Sequence, residues 1–111
     1  MIYAVDFDNT IAFTNYPSEE NVIPNYNLIN FIKEKQSQGH KFILWTCRED
    51  KDLAFAVNWC KEHGLIFDAV NENLPEEIIR WNNDCRKVGA DVYIDDRAIT
   101  PNMIESEVEE Q

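Results

Sequence analysis

Apolar positions fall into two kinds of block along the chain. Four short runs are continuous rather than alternating: Ile2–Val5, Lys41–Trp45, a weaker Ile66–Val70, and Asp91–Ile94. Continuous runs of this length predict strands buried on both faces, as in a parallel sheet. Between them the period becomes helical. Asn27–Gln38 carries Leu28, Ile29, Phe31 and Ile32 on one stripe and stops at Gly39, a helix-end signal. Asp50–His63 carries Leu53, Val57 and Cys60 on one stripe, with Phe55, Ala56 and Trp59 beside it, and stops at Gly64. Pro75–Trp81 opens with proline and two glutamates, the favoured chemistry of a first helical turn. Strands alternating with helices at this spacing predict βαβ units and a mostly parallel sheet with helices on both faces.

The expected fold is therefore α/β: a single three-layer αβα, Rossmann-like domain spanning residues 1–111. At 111 residues the chain has room for one proper core. Only 3 Gly and 4 Pro argue against linkers or low complexity. The one long irregular stretch is Phe13–Pro24, between the first strand and the first helix, and long loops at strand ends are often functional. The formal net charge of −11 repels nucleic acid and anionic membranes, so an anionic partner has to be met by a local positive site or a divalent metal. Glu105, Glu107, Glu109 and Glu110 make an acidic, solvated tail over about residues 102–111. Cys47, Cys60 and Cys85 form no C-x-x-C and have no His at ligand spacing, so they read as buried thiols in a reducing compartment. Asp6 and Asp8 interrupt the first apolar stretch, so no signal peptide or membrane span is expected, and the protein reads as cytoplasmic.

Reactive groups of an open parallel sheet collect at the carboxyl ends of its strands. The first strand is followed by Asp6, Asp8 and Thr10, the second by Thr46, Cys47 and Arg48, and the last by Asp95, Asp96 and Arg97; Arg86 and Lys87 precede the last strand. Four carboxylates near one place repel one another unless a cation joins them or their pKa values rise. All-oxygen ligation favours Mg²⁺, which takes one or two carboxylates and a substrate phosphate. In the D-x-D string, Phe7 turns to the core while Asp6 and Asp8 face the site. The two acids can then differ in role, one fixed as nucleophile and one freer to carry a proton. Thr46 would donate to a phosphoryl oxygen and Lys87 would balance developing charge. A calcium loop is excluded, because its sixth position would be Ile11 rather than Gly and its twelfth Pro17 rather than Glu.

Together DFDNT, ILWT, a lysine before the last strand, and YIDD resemble the four motifs of the haloacid dehalogenase-like hydrolases, mostly Mg²⁺-dependent phosphatases. The motifs span Asp6 to Asp96, most of the chain. The resemblance implies Asp6 as nucleophile, Asp8 as general acid/base, and Thr46, Lys87 and Asn9 as phosphate ligands. It implies Mg²⁺ held by Asp6, the backbone carbonyl of Asp8, and Asp95 or Asp96, and it puts the first and last strands side by side. Many members have Gly where this chain has Asn9; Asn also tolerates a left-handed backbone. Arg86 can stand in for Lys87. There is no room for a substantial cap domain, so the chain resembles the capless type. An open site excludes water poorly and calls for a large phosphorylated substrate, small molecule or macromolecule, or for a neighbouring subunit to complete the pocket.

Rival readings are a phosphorylatable signalling module, and a catalytically silent relative that binds metal or a phosphorylated partner. Arg48 has two readings, substrate contact and surface ion pair, and Arg86 shares the first. His40, His63, Trp45, Trp59 and Trp81 read as structural, with Trp45 in the core. Asn82, Asn83 and Asp84 terminate the third helix or reach the site.

Overall fold

The computed structural model describes residues 1–81 and 89–95, without the side chains of Glu77, Arg80 and Trp81. Among the described residues the elements follow one another as β1 (Ile2–Val5), β2 (Ala12–Phe13), β3 (Ile23–Pro24), α1 (Tyr26–Ser37), β4 (Lys41–Leu44), α2 (Asp50–Glu62), β5 (Ala69–Val70), α3 (Pro75–Trp81) and β6 (Val92–Ile94). The main sheet has the order β5-β4-β1-β6, and all its pairings are parallel. The first strand is thus the neighbour of the last, as the resemblance implies.

Alternate residues of each strand serve opposite faces, and register sets which residues meet. Tyr3 lies opposite Phe42 and Val5 opposite Leu44. These four pack with Leu28, Ile29 and Ile32 of α1 and with Ala56, Trp59 and Cys60 of α2 in the larger core. The Tyr3 and Phe42 rings stack at 4.6 Å, and Phe31 meets Tyr3 edge-on at 6.0 Å. Ala4 and Ile43 face the other way, where Ala69 and Leu74, the residue before α3, complete a smaller core. α1 and α2 thus cover one face of the sheet, and the chain leading into α3 packs on the other, the arrangement of a small Rossmann-like domain.

Local chemistry explains the ends. Gly39 and Gly64 take φ of +93° and +82° just past α1 and α2, in the left-handed region that glycine enters without a Cβ penalty. Asn25 caps α1 by accepting the Leu28 N–H at 3.3 Å.

Three expectations need correction. Phe13–Pro24 is not wholly irregular, because its two ends pair as an antiparallel ribbon, with Ala12 opposite Pro24 and Phe13 opposite Ile23. Ile66 lies outside any strand and is 71% exposed; the strand is confined to Ala69 and Val70, opposite Ile43 and Leu44 of β4. Trp45 is half-buried and packs against the smaller core rather than inside it. Among the described residues, no large cap stands on the sheet, and no helix is long and apolar enough to cross a membrane.

Phe42 is fully buried between Tyr3 and the helices, so Phe42→Ala leaves a cavity that the paired strands cannot close. It is expected to cost about 3–5 kcal/mol of unfolding free energy in urea titration.

Candidate active site

The parallel ladder runs one step past each strand and then releases the chain. Asp6 N–H donates to the Ile94 carbonyl at 3.0 Å, Trp45 N–H to Val5 at 2.9 Å, and Asn71 N–H to Leu44 at 2.7 Å. The next side chains are delivered to the carboxyl edge of the sheet. Asp6, Thr46 and Asp95, from three adjacent strand ends, line one cleft of about 540 Å³ together with Trp45, Cys47 and Tyr93. A second cleft of about 520 Å³ is lined by Asp6, Asp8, Asn9, Thr14, Asn15, Tyr16, Thr46, Cys47 and Arg48. Asp6, Thr46 and Cys47 belong to both, so Asp6 stands where an apolar-walled and a polar cleft meet.

The turn after β1 is tightly specified. Phe7 is fully buried, as the D-x-D spacing requires, and Asp6 Oδ1 accepts the Phe7 N–H at 2.7 Å. Asn9 takes φ of 57°, the left-handed conformation anticipated for it. The Phe7 carbonyl accepts the N–H groups of Thr10 and Ala12 at 3.2 and 3.1 Å. Thr10, fully buried, donates its hydroxyl to the Asp8 carbonyl at 3.4 Å, and Asn25 Nδ2 donates to the Thr10 carbonyl at 3.0 Å. Asn25 therefore ties the D-x-D-x-T turn to the first turn of α1.

Asp8 is firmly held, although the D-x-D spacing suggests an acid free to carry a proton. Arg48 Nε donates to its Oδ2 at 2.9 Å and Arg48 Nη2 to its Oδ1 at 2.7 Å, while the Thr14 hydroxyl donates to Oδ1 at 2.6 Å. Burial pushes the Asp8 carboxyl pKa up, but the hydrogen bonds and charge of Arg48, with the bond from Thr14, outweigh it and hold the pKa below the ordinary value. Arg48 is not a surface ion pair: its side chain is only 3% exposed. Its guanidinium lies 5.0 Å from the Phe7 ring, 4.4 Å from that of Tyr16 and 5.6 Å from that of Phe55, and its Nη1 donates to the Asp52 carbonyl at 3.3 Å. The arginine borders the polar cleft with its donors turned to protein acceptors.

Thr46 is fixed from both sides. Its N–H donates to Asn71 Oδ1 at 2.7 Å, and its hydroxyl oxygen accepts the Arg48 N–H at 3.2 Å. A hydroxyl whose oxygen accepts retains its own proton to donate, which a phosphoryl ligand needs. Asn71, with φ of 53°, also reaches toward the Arg48 carbonyl at 3.5 Å.

Of the thiols, Cys60 is buried, and that burial pushes its pKa up to about 12; Cys47 is exposed in the clefts, against expectation. His63 stacks on Trp59 at 3.7 Å with Nδ1 on the Trp59 carbonyl, and His40 contacts the Met1 amine at 3.0 Å, both structural roles. Cys85, Arg86, Lys87, Asp96, Arg97, Asn82, Asn83, Asp84 and the acidic tail lie outside the described residues, as does the side chain of Trp81.

The donors available to a cation at this edge are hard oxygens: the carboxylates of Asp6 and Asp95 and the carbonyl of Asp8. That set fits Mg²⁺, which needs only one or two protein carboxylates and keeps several waters. Among the described residues, no group of three or more His, Cys, Asp or Glu is arranged to hold a metal.

Comparison with solved structures finds a conserved protein coded by a locus of Bacteroides thetaiotaomicron. It is 35% identical, with a TM-score of 0.82, over 99% of this chain and 90% of that one. At that identity and coverage the chain belongs to the family of this conserved Bacteroides protein. No protein-family model matches the chain, and no curated protein does.

Because Arg48 is buried against Asp8, Arg48→Met strands a carboxylate that is only 24% exposed. The variant is expected to lose about 3 kcal/mol in urea unfolding. The pH dependence follows from the lowered Asp8 pKa. The unfolded chain takes up the proton first as pH falls, so the stability due to Asp8 is fully present above its unfolded pKa of about 4 and is lost as pH falls through the lower folded value. The stability gap between wild type and Asp8→Asn should be widest near neutrality and close steadily below about pH 4.

Proposed function

We propose that the protein is a cytoplasmic, Mg²⁺-dependent phosphomonoester hydrolase of the haloacid dehalogenase-like kind, working through an aspartyl-phosphate on Asp6. One observation carries the reading: Asp6, Thr46 and Asp95 come from three neighbouring strand ends to line a single cleft. The D-x-D-x-T turn beside them supplies a second acid and a carbonyl oxygen.

In this reading an Asp6 oxygen attacks phosphorus and the ester P–O bond breaks, leaving an acyl phosphate on Asp6 and a departing alkoxide. Thr46 donates to a phosphoryl oxygen as charge builds there, and Lys87 or Arg86 offsets that charge. Asp6, Asp95 or Asp96, and the Asp8 carbonyl hold Mg²⁺, which when bound supplies positive charge to the phosphoryl group. Asp8, once it has taken up a proton from solvent, gives that proton to the leaving oxygen and afterwards takes one from water, whose oxygen attacks phosphorus to release phosphate and regenerate the Asp6 carboxylate. To move that proton Asp8 has to loosen its bonds to Arg48.

The same Arg48 grip favours a second reading. A carboxylate whose oxygens are both engaged by Arg48 is a weak base toward water, so hydrolysis of the acyl phosphate would be slowed, as in a phosphorylatable signalling module.

Purified protein should release phosphate from a generic aryl phosphate with Mg²⁺, lose the activity in chelator, and lose it in a folded Asp6→Asn variant. Normal turnover by Asp6→Asn would eliminate the mechanism. A single burst of phosphate uptake onto the protein, stable for hours, would favour the signalling module.

A further inference from the structure

Tyr16 is the aromatic residue of the polar cleft, and the chemistry above leaves it unused. It is 48% exposed, yet it is held on two sides. Its ring lies over the Arg48 guanidinium at 4.4 Å, and its hydroxyl donates to Asp52 Oδ2 at 3.1 Å. Arg48 in turn is locked on Asp8, so the ring is braced from behind by a buried ion pair. The loop that carries it leaves β2 and returns through β3, and this short ribbon anchors both ends. Asp6 and Thr46 line the same cleft, whose volume of about 520 Å³ falls within the usual range for a small-molecule site.

A half-exposed aromatic ring normally loses rotamer freedom when a ligand settles on it. Here the hydroxyl bond and the guanidinium fix the ring beforehand, so a ligand meets a flat surface already in place. Stacking on such a surface is selective for planar rings and tolerant of their identity. Of the other polar groups of the cleft, the Asn15 amide and the Thr14 oxygen suit hydrogen bonds at the edges of the ligand rather than an apolar cage.

We propose that Tyr16 is a specificity-determining residue: it stacks against a planar aromatic group of the substrate, so the preferred phosphomonoesters carry a nucleobase or an aryl ring next to the phosphate. This rests on the phosphatase reading for its substrate class, but the stacking itself is a binding property with its own readout.

The test compares adenosine 5′-monophosphate, phenyl phosphate and ribose 5-phosphate. Hydrolysis is measured with Mg²⁺ for wild type, Tyr16→Leu and Tyr16→Phe, and binding to Asp6→Asn, with and without Tyr16→Leu, is measured by calorimetry. Leucine still covers Arg48 with apolar surface but has no ring face, whereas phenylalanine keeps the face and loses only the hydroxyl. Tyr16→Leu is expected to lower kcat/KM for the ring-bearing substrates on the order of tenfold, chiefly through KM, while ribose 5-phosphate changes little. Tyr16→Phe should retain most of the preference. A preference for adenosine 5′-monophosphate alone would assign a nucleobase, and an equal preference for phenyl phosphate would assign any aryl ring. Equal losses for all three substrates, or wild type without ring preference, would overturn the proposal while leaving the phosphatase intact. Tyr16-dependent binding of ring compounds without any hydrolysis would uphold stacking and sink the phosphatase reading. Binding of none of the three by Asp6→Asn, with no hydrolysis by wild type, would overturn both.

Discussion

Everything at the carboxyl edge depends on β1 being paired on both sides. A four-residue strand has few hydrogen bonds of its own, and β1 is held in place because β4 and β6 run parallel to it with fixed register. Register decides the faces as well: a slip of one residue would send Tyr3 and Val5 to the smaller core and reverse Asp6 and Phe7. The fully buried Phe7, packed edge-on against Trp59 at 5.5 Å, is the anchor that makes such a slip costly. The reactive geometry therefore rests on ordinary core packing, with Asp6 on one side of the anchor and Asp8 on the other.

Arg48 links that core to the site. Its guanidinium shares the Phe7 ring with Trp59, so one side chain touches the apolar core, Asp8 and the Tyr16 loop at once. A buried arginine is costly unless its donors are met. Asp8 meets two of them and the Asp52 carbonyl a third. The arrangement restrains the Phe13–Pro24 segment without a cap domain, because Tyr16 closes over the same guanidinium.

The main sheet was legible because its strands are continuous apolar runs and its long helices stop at Gly39 and Gly64. The neighbouring of first and last strands came from the motif resemblance; nothing in periodicity separates it from other orders. The β2–β3 ribbon was illegible, since two-residue strands carry no period, and Ile66 misled because an exposed apolar residue beside a short strand looks like its continuation. Asp6 and Thr46 were found by one rule, polar chemistry following an apolar run. The same rule applied to Ala69–Val70 would have found Asn71, which fixes Thr46. The burial of Arg48 could not be read, because Phe7, Tyr16 and Phe55 converge on it from three separate segments.

The central claim is that the edge of β1 presents Asp6 as a nucleophile, and trapping the covalent species tests it most directly. Protein mixed with Mg²⁺ and an aryl phosphate is quenched in acid within the first turnover, digested, and mapped by mass spectrometry. The account predicts a phosphoryl group on the peptide containing Asp6, absent from the Asp6→Asn protein. Phosphate release with no such adduct, or an adduct on another residue, would contradict it.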